Sequence, residues 1–223
     1  MGARWAIPMA ARLLQMTTDP ALILTQWLSP SYPVGAFAWS HGLEQAIADG
    51  AVADAGQLHD WLAAILTHGT GRSDAILLCA ACRGEAVADL AQALAASRER
   101  RLESLQPGAA FATITRAVWG LDLPDAADPV GVGQAARLMG LPAQVTARVY
   151  LFGFISNLVQ AAQRLMPLGQ TRGQILLAAL APLCDTIGTE AAGASVDDIG
   201  TATFAADIAS MRHDTLEPRI FRS

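Results

Sequence analysis

Apolar side chains recur at helical spacing along most of this chain. The clearest stretch opens at Asp54, after which Leu58, Trp61, Leu62, Ile65 and Leu66 fall on one face of a 3.6-residue turn. Gly69 and Gly71 close it, and Ser73 and Asp74 start a second segment that runs through Ala75 to Arg83. Val87, Leu90 and Leu94 carry a weaker stripe into a charged cluster, Arg98 to Glu103, which reads as a solvated face. Val145, Val149, Phe152, Ser156, Val159 and Gln163 predict a long central helix over Ala143 to Met166, interrupted only by Gly153.

Start and stop residues divide the remainder. Thr18 is a candidate N-cap with Asp19 and Pro20 in the first turn, Leu22 to Leu28 continue as helix, and Pro30 ends it. A second helix is expected from about Ala36 to Asp49, with Gly50 at its C-terminal side. Pro107 and Gly108 punctuate before a helix from about Ala109 to Trp119, and Gly120 to Pro129 forms the strongest loop signal. A short helix over Val132 to Met139 is broken by Gly140 to Pro142. Pro167 to Thr171 form a turn before an apolar helix, Arg172 to Ile187, that Pro182 should kink or shorten. Ser195 with Asp198 resembles a capping arrangement for a last helix to about Ser210.

These signals predict an all-α single-domain bundle of about eight to ten helices. Residues 1–17 are weakly patterned and expected to be flexible, 18–210 form the domain, and 211–223 form a non-helical or partly ordered C-terminal tail. The tail concentrates three arginines, a histidine and a phenylalanine. No internal repeat or low-complexity linker divides the chain.

Composition narrows the function classes. Hydrophobic residues make up 52% of the chain and charged ones 16%, with alanine, the best helix former, prominent and no run rich enough in β-branched residues to suggest a strand. The net charge of −5 and the lack of a basic run argue against nucleic acid or an anionic membrane as main partner. Every positive side chain is arginine, so neither a Walker-type phosphate loop nor a lysine Schiff base is available. The longest apolar runs, Ala75 to Cys82 and Ile175 to Cys184, fall short of the roughly 20 residues of a membrane span. With no secretory signal pattern at the N-terminus, a cytoplasmic protein is expected.

Ser29 to Glu44 is the most constrained stretch. Pro30 and Pro33 fix φ, Gly35 permits conformations other residues resist, and Phe37, Trp39, Ser40, His41 and Glu44 follow on a helical pattern. Adjacent helical residues point about 100° apart, so Ser40 and His41 make a poor nucleophile and base pair, and capping or interface contacts suit them better. Cys79 and Cys82 form a CxxC that could hold a metal or a redox pair, but its apolar surroundings favour two buried small hydrophobes. His59 and His68, nine residues apart, cannot chelate one ion locally, while His41 and His213 have polar and aromatic neighbours. The arginine and aromatic residues of the tail fit an interface as well as a frayed end.

Taken in order, Ser29-Pro30, Pro33 to Phe37, Ser40 to Glu44, Pro167 to Thr171, and Arg212-His213 with Arg219 to Ser223 resemble the urease accessory protein UreF family, over about Leu22 to Ser223. Trp39 stands where many relatives have tyrosine, and Ile220 where leucine is common. The resemblance implies an all-α homodimer without catalytic activity of its own. It implies that such a protein joins UreD (UreH) to the GTPase UreG, so that nickel reaches apo-urease. No cofactor or resident metal is implied for the subunit itself, nickel being handled by the complex. Arg212, His213, Arg219, Phe221, Arg222 and Ser223 match the tail that faces UreD/UreH in the family, and Pro33, Gly35, Phe37, Ser40, His41, Gly42, Glu44, Gly169 and Gln170 match its structural or interface signature. The competing reading is an all-α nickel carrier that itself holds the metal through His41, His213, Cys79 and Cys82.

Overall fold

A computed structural model describes residues 18–223; the segment 1–17, expected to be flexible, lies outside the described residues. The helices in chain order are α1 (Pro20–Trp27), α2 (Leu43–Ala48), α3 (Ala55–His68), α4 (Thr70–Arg83), α5 (Ala88–Ala93), α6 (Arg98–Trp119), α7 (Asp128–Met139), α8 (Ala143–Leu165), α9 (Gln170–Gly193) and α10 (Phe204–His213), with short 3-10 turns at Ala36–Ala38 and Val196–Asp198. No strand occurs among the described residues, so the all-α expectation holds.

The helix with the most apolar surroundings is α4. Every residue from Ala75 to Ala81 is buried, because α7, α8, α9 and α3 all pack on it. Gly133 on α7 makes the closest approach possible, since a Cβ there would run into the Leu78 carbonyl. Around this centre, α8 and α9 form the most extensive helix pair, burying Leu151, Ile155 and Leu158 against Leu176, Leu180 and Ile187. By length and hydropathy α9 could cross a membrane, but here one face of it is buried against α8, α4 and α3.

Several boundaries differ from expectation. Asp19, not Thr18, caps α1, its side chain accepting from the N–H of Ala21 with Pro20 at the first helical position. Asp54 caps α3 as expected, but α4 begins at Thr70 directly after Gly69. Pro107 does not start a helix; α6 runs through it from Arg98 to Trp119. Proline costs one main-chain bond there, but Pro107 and Gly108 are buried on the face toward α7, and a Cβ on Gly108 would strike the backbone of residues 126–128. The pair therefore serves close packing within a helix. Pro182 likewise lies inside an α9 that continues past Ile187 to Gly193. The Ser195 and Asp198 capping box is present, but it closes only the 3-10 turn, and the last helix starts at Phe204.

Candidate functional site

The Ser29 to Glu44 stretch is an elbow, not the start of one helix from Ala36 to Asp49. Gly35, at φ 74°, opens the 3-10 turn, after which Trp39 is extended. His41 (φ 61°) and Gly42 (φ 76°) then take two consecutive left-handed conformations, closed by the Leu43 N–H donating to the Ser40 carbonyl at 2.9 Å. This is the type I′ pattern, and glycine suits its second position because a Cβ there would approach Ser210 N at 2.8 Å. Two positive φ values cannot be absorbed by a helix, so α2 starts only at Leu43. Tyr32, earlier in the elbow, turns inward to meet Thr115 Oγ1 at 2.9 Å.

The C-terminal segment folds back onto this elbow. The Ser40 N–H donates to the Ser223 carbonyl at 3.1 Å, and the Ser40 hydroxyl donates to the same oxygen. The His41 N–H donates to Ser223 Oγ at 3.2 Å, while that hydroxyl donates to Glu103 Oε2 at 2.8 Å. The Arg222 N–H reaches the Ala38 carbonyl at 2.9 Å, and its guanidinium covers the Trp39 ring at 4.6 Å. Phe221 is buried under Arg164 of α8, whose guanidinium lies 4.3 Å from the ring centroid and also donates to the Phe37 carbonyl.

Beneath these contacts runs a buried ionic network. His213 is fully buried, with Nδ1 2.8 Å from Glu99 Oε2 and Nε2 3.0 Å from Glu44 Oε2. The imidazole thus bridges the two glutamates, one at each ring nitrogen. Glu44 also accepts the N–H groups of Ile220 (2.7 Å) and Phe221 (2.9 Å), and Arg219 donates to Glu99 at 2.6 Å. Arg212 pairs with Asp49 at the surface. Next to this network, Arg100 is paired with Glu103 on α6. Burial alone would raise the Glu103 carboxyl, but Arg100 first, then His41 and the Ser223 hydroxyl, outweigh it and hold it at about 2. Burial, reinforced by Arg100, pushes His41 down to about 4, so its long 3.4 Å contact with Glu103 is made as a neutral ring stacked edge-on to Phe154.

The structure thus brings together Ser40, His41, Gly42 and Glu44 with His213, Arg219, Phe221, Arg222 and Ser223. Pro33 and Phe37 stay on the outside of the elbow, Phe37 being 70% exposed. Gly169 caps α9, and Gln170 reaches Gln163 across the turn at 3.3 Å; neither takes part in the elbow network. The Arg98 to Glu103 cluster is not the solvated face that its charge suggested: Glu99 and Arg100 are buried and Glu103 nearly so. The overlooked signal is the spacing of Glu99 and Glu103, which places both carboxylates on one helical face toward the tail.

Cys79 is buried and Cys82 is half-buried, and burial raises the two thiols to about 11 and about 12, away from reactivity. Among the described residues, no three His, Cys, Asp or Glu side chains are gathered to hold a metal ion.

Below the elbow lies a cavity of about 130 Å³ between α1, α4, α6, α7 and α8. Asp74, Asp128 and Tyr150 line it, with the Tyr150 hydroxyl donating to Asp74 Oδ2 at 3.4 Å. Burial raises Asp74 to about 7 despite the opposing pull of Arg100, and raises Asp128 to about 6.

A sequence model of the UreF family matches residues 52–181. The chain belongs to the UreF family. The span of that match lies between the elbow and the tail. The Urease accessory protein UreF of Cereibacter sphaeroides strain KD131 is 53% identical over 205 residues, covering 91% of this chain and 98% of its own length. That of Roseobacter denitrificans is 48% identical over 213 residues (93% and 96%), and that of Rhodopseudomonas palustris strain TIE-1 is 47% identical over 218 residues (90% and 91%).

Proposed function

We propose that this UreF-family protein is a non-enzymatic assembly factor of urease maturation, acting in the cytoplasm as a homodimer. It bridges UreD/UreH and the GTPase UreG and supports GTP-dependent nickel delivery to apo-urease. The observation that carries this reading is the packing of the tail against the elbow, which turns two distant signature segments into one surface. That surface includes exposed Phe37 and Ile220 and exposed Arg164 and Arg222, whose guanidinium groups cover Phe221 and Trp39. Aromatic, aliphatic and arginine side chains fixed in this way are what protein interfaces select. The relatives named above are accessory proteins to urease by name, and the absence of lysine fits a chain that leaves the phosphate loop to another subunit.

Co-purification with UreD/UreH and UreG tests the reading. Removing 211–223 altogether would strip partners from buried Glu44 and Glu99, so single surface changes are the sharper probe. Ile220→Asp and Phe37→Asp should leave the helical circular dichroism unchanged and abolish capture of UreD/UreH. A folded wild-type protein that captures neither partner overturns the assignment.

A further inference from the structure

We propose that the cavity beneath the elbow is a receptor for a single cationic side chain, lysine or arginine, presented by a partner polypeptide. Four aromatic side chains, Tyr32, Phe37, Trp39 and Phe154, line the space, and Phe37 among them is exposed. Asp74 and Asp128, both half-buried, also line the cavity and share the hydroxyl of Tyr150. Aromatic faces over a carboxylate floor are the surroundings in which an ammonium or guanidinium group is best held when it leaves water. The cation already present, Arg100, is bonded to Glu103. The two aspartates are thus left with no cation in hydrogen-bonding contact among the described residues.

This chain contains no lysine, so a lysine ammonium group must come from outside it. Two features favour a polypeptide over a free amine. Phe37 and nearby Pro30 and Val34 give the mouth an apolar rim against which a main chain can lie. Trp27, 1% exposed, also lines the cavity and leaves its indole N–H unpartnered, a donor open to an oxygen of the chain that bears the cation. The proposal does not depend on which maturation protein is the partner, and its test uses none of them.

The full-length protein is titrated with butylammonium, butylguanidinium, the neutral isostere 1-butanol, and the capped peptides acetyl-Ala-Lys-Ala-amide and acetyl-Ala-norleucine-Ala-amide. Tryptophan fluorescence and the indole N–H resonances of Trp27 and Trp39 report occupancy. Both cations and the lysine peptide should give saturable changes, the neutral probes should not, and Asp74→Asn and Asp128→Asn should each weaken binding about tenfold. Unchanged circular dichroism confirms that the variants are folded, and Asp185→Asn, on the surface of α9, should bind as wild type. Absence of saturable binding, equal binding of neutral and cationic probes, or wild-type binding by both aspartate variants overturns the proposal. Binding of butylammonium without the lysine peptide overturns the polypeptide as the source of the cation.

Discussion

Glu44 and His213 are 169 residues apart in sequence and meet at 3.0 Å in the interior, joining the first turn of α2 to the last turn of α10. Glu99 holds the opposite ring nitrogen, so the histidine ties together two side chains that are both buried from solvent. Breaking such a bridge by removing one partner is costly, since the remaining charges stay desolvated. His213→Ala is expected to lower stability by about 3–5 kcal/mol and to make residues 214–223 sensitive to protease. Denaturant unfolding with limited proteolysis checks both. A variant as stable as wild type, with a protected tail, would contradict this account of the network.

Gly42 and Gly35 share a left-handed conformation but differ in their surroundings. Gly35→Ala meets open space and should cost only the conformational penalty, about 1–2 kcal/mol. Gly42→Ala must also displace the backbone of Ser210, which closes against the elbow from α10, so its loss should exceed that of Gly35→Ala by at least about 1 kcal/mol. Thermal unfolding of the two variants side by side decides it, and equal losses would argue that α10 is not firmly seated.

Asp74 makes stability fall with rising pH. Its carboxyl titrates near 3.8 when unfolded and near 7 in the fold, so the folded state binds the proton more tightly. The resulting contribution is complete below pH 4 and disappears as the pH rises through 7. Asp74→Asn should therefore match wild type at pH 4 and exceed it above pH 7. Because Asp74 is only half-buried, the gain should be about 1–2 kcal/mol rather than the full value of the shift. Melting curves across this range are the measurement; a less stable variant at pH 8 would refute it.

His41 acts in the opposite sense. Its ring titrates near 6.5 when unfolded and near 4 in the fold, so its contribution is full above pH 6.5 and is lost as the pH falls through 4. Asparagine tolerates the left-handed conformation at this position and carries no charge. His41→Asn should flatten the acid limb of the stability profile between pH 6.5 and 4, visible in melting temperature against pH. An unaltered acid limb would show that His41 does not contribute to it.

Local chemistry was the readable part of the elbow. Two prolines and Gly35 announced a sharp redirection, and the uninterrupted apolar run around Cys79 announced a buried helix. The helical spacing of Phe37, His41 and Glu44 was misleading, because two consecutive positive φ values end any helix between them, and a side-chain pattern does not record φ. Pro107 misled for a related reason: the cost of its missing N–H is local, whereas the packing of Gly108 against residues 126–128 that retains the helix is long-range.

Helix-forming composition, the amphipathic stripes and the cap at Asp54 act within a few residues of one another, so the sequence by itself determined an all-α protein and the course of its most strongly striped helices. The paired segments that carry the family resemblance were legible too, as separate pieces. Only the tertiary structure decided that they are one piece. Ser40 meets Ser223 and Glu44 meets His213 through contacts spanning most of the chain, and burial turns the charged run at Arg98 to Glu103 from a wetted surface into the floor that holds the tail. Desolvation depends on what else folds over a residue, and no neighbour along the chain specifies it.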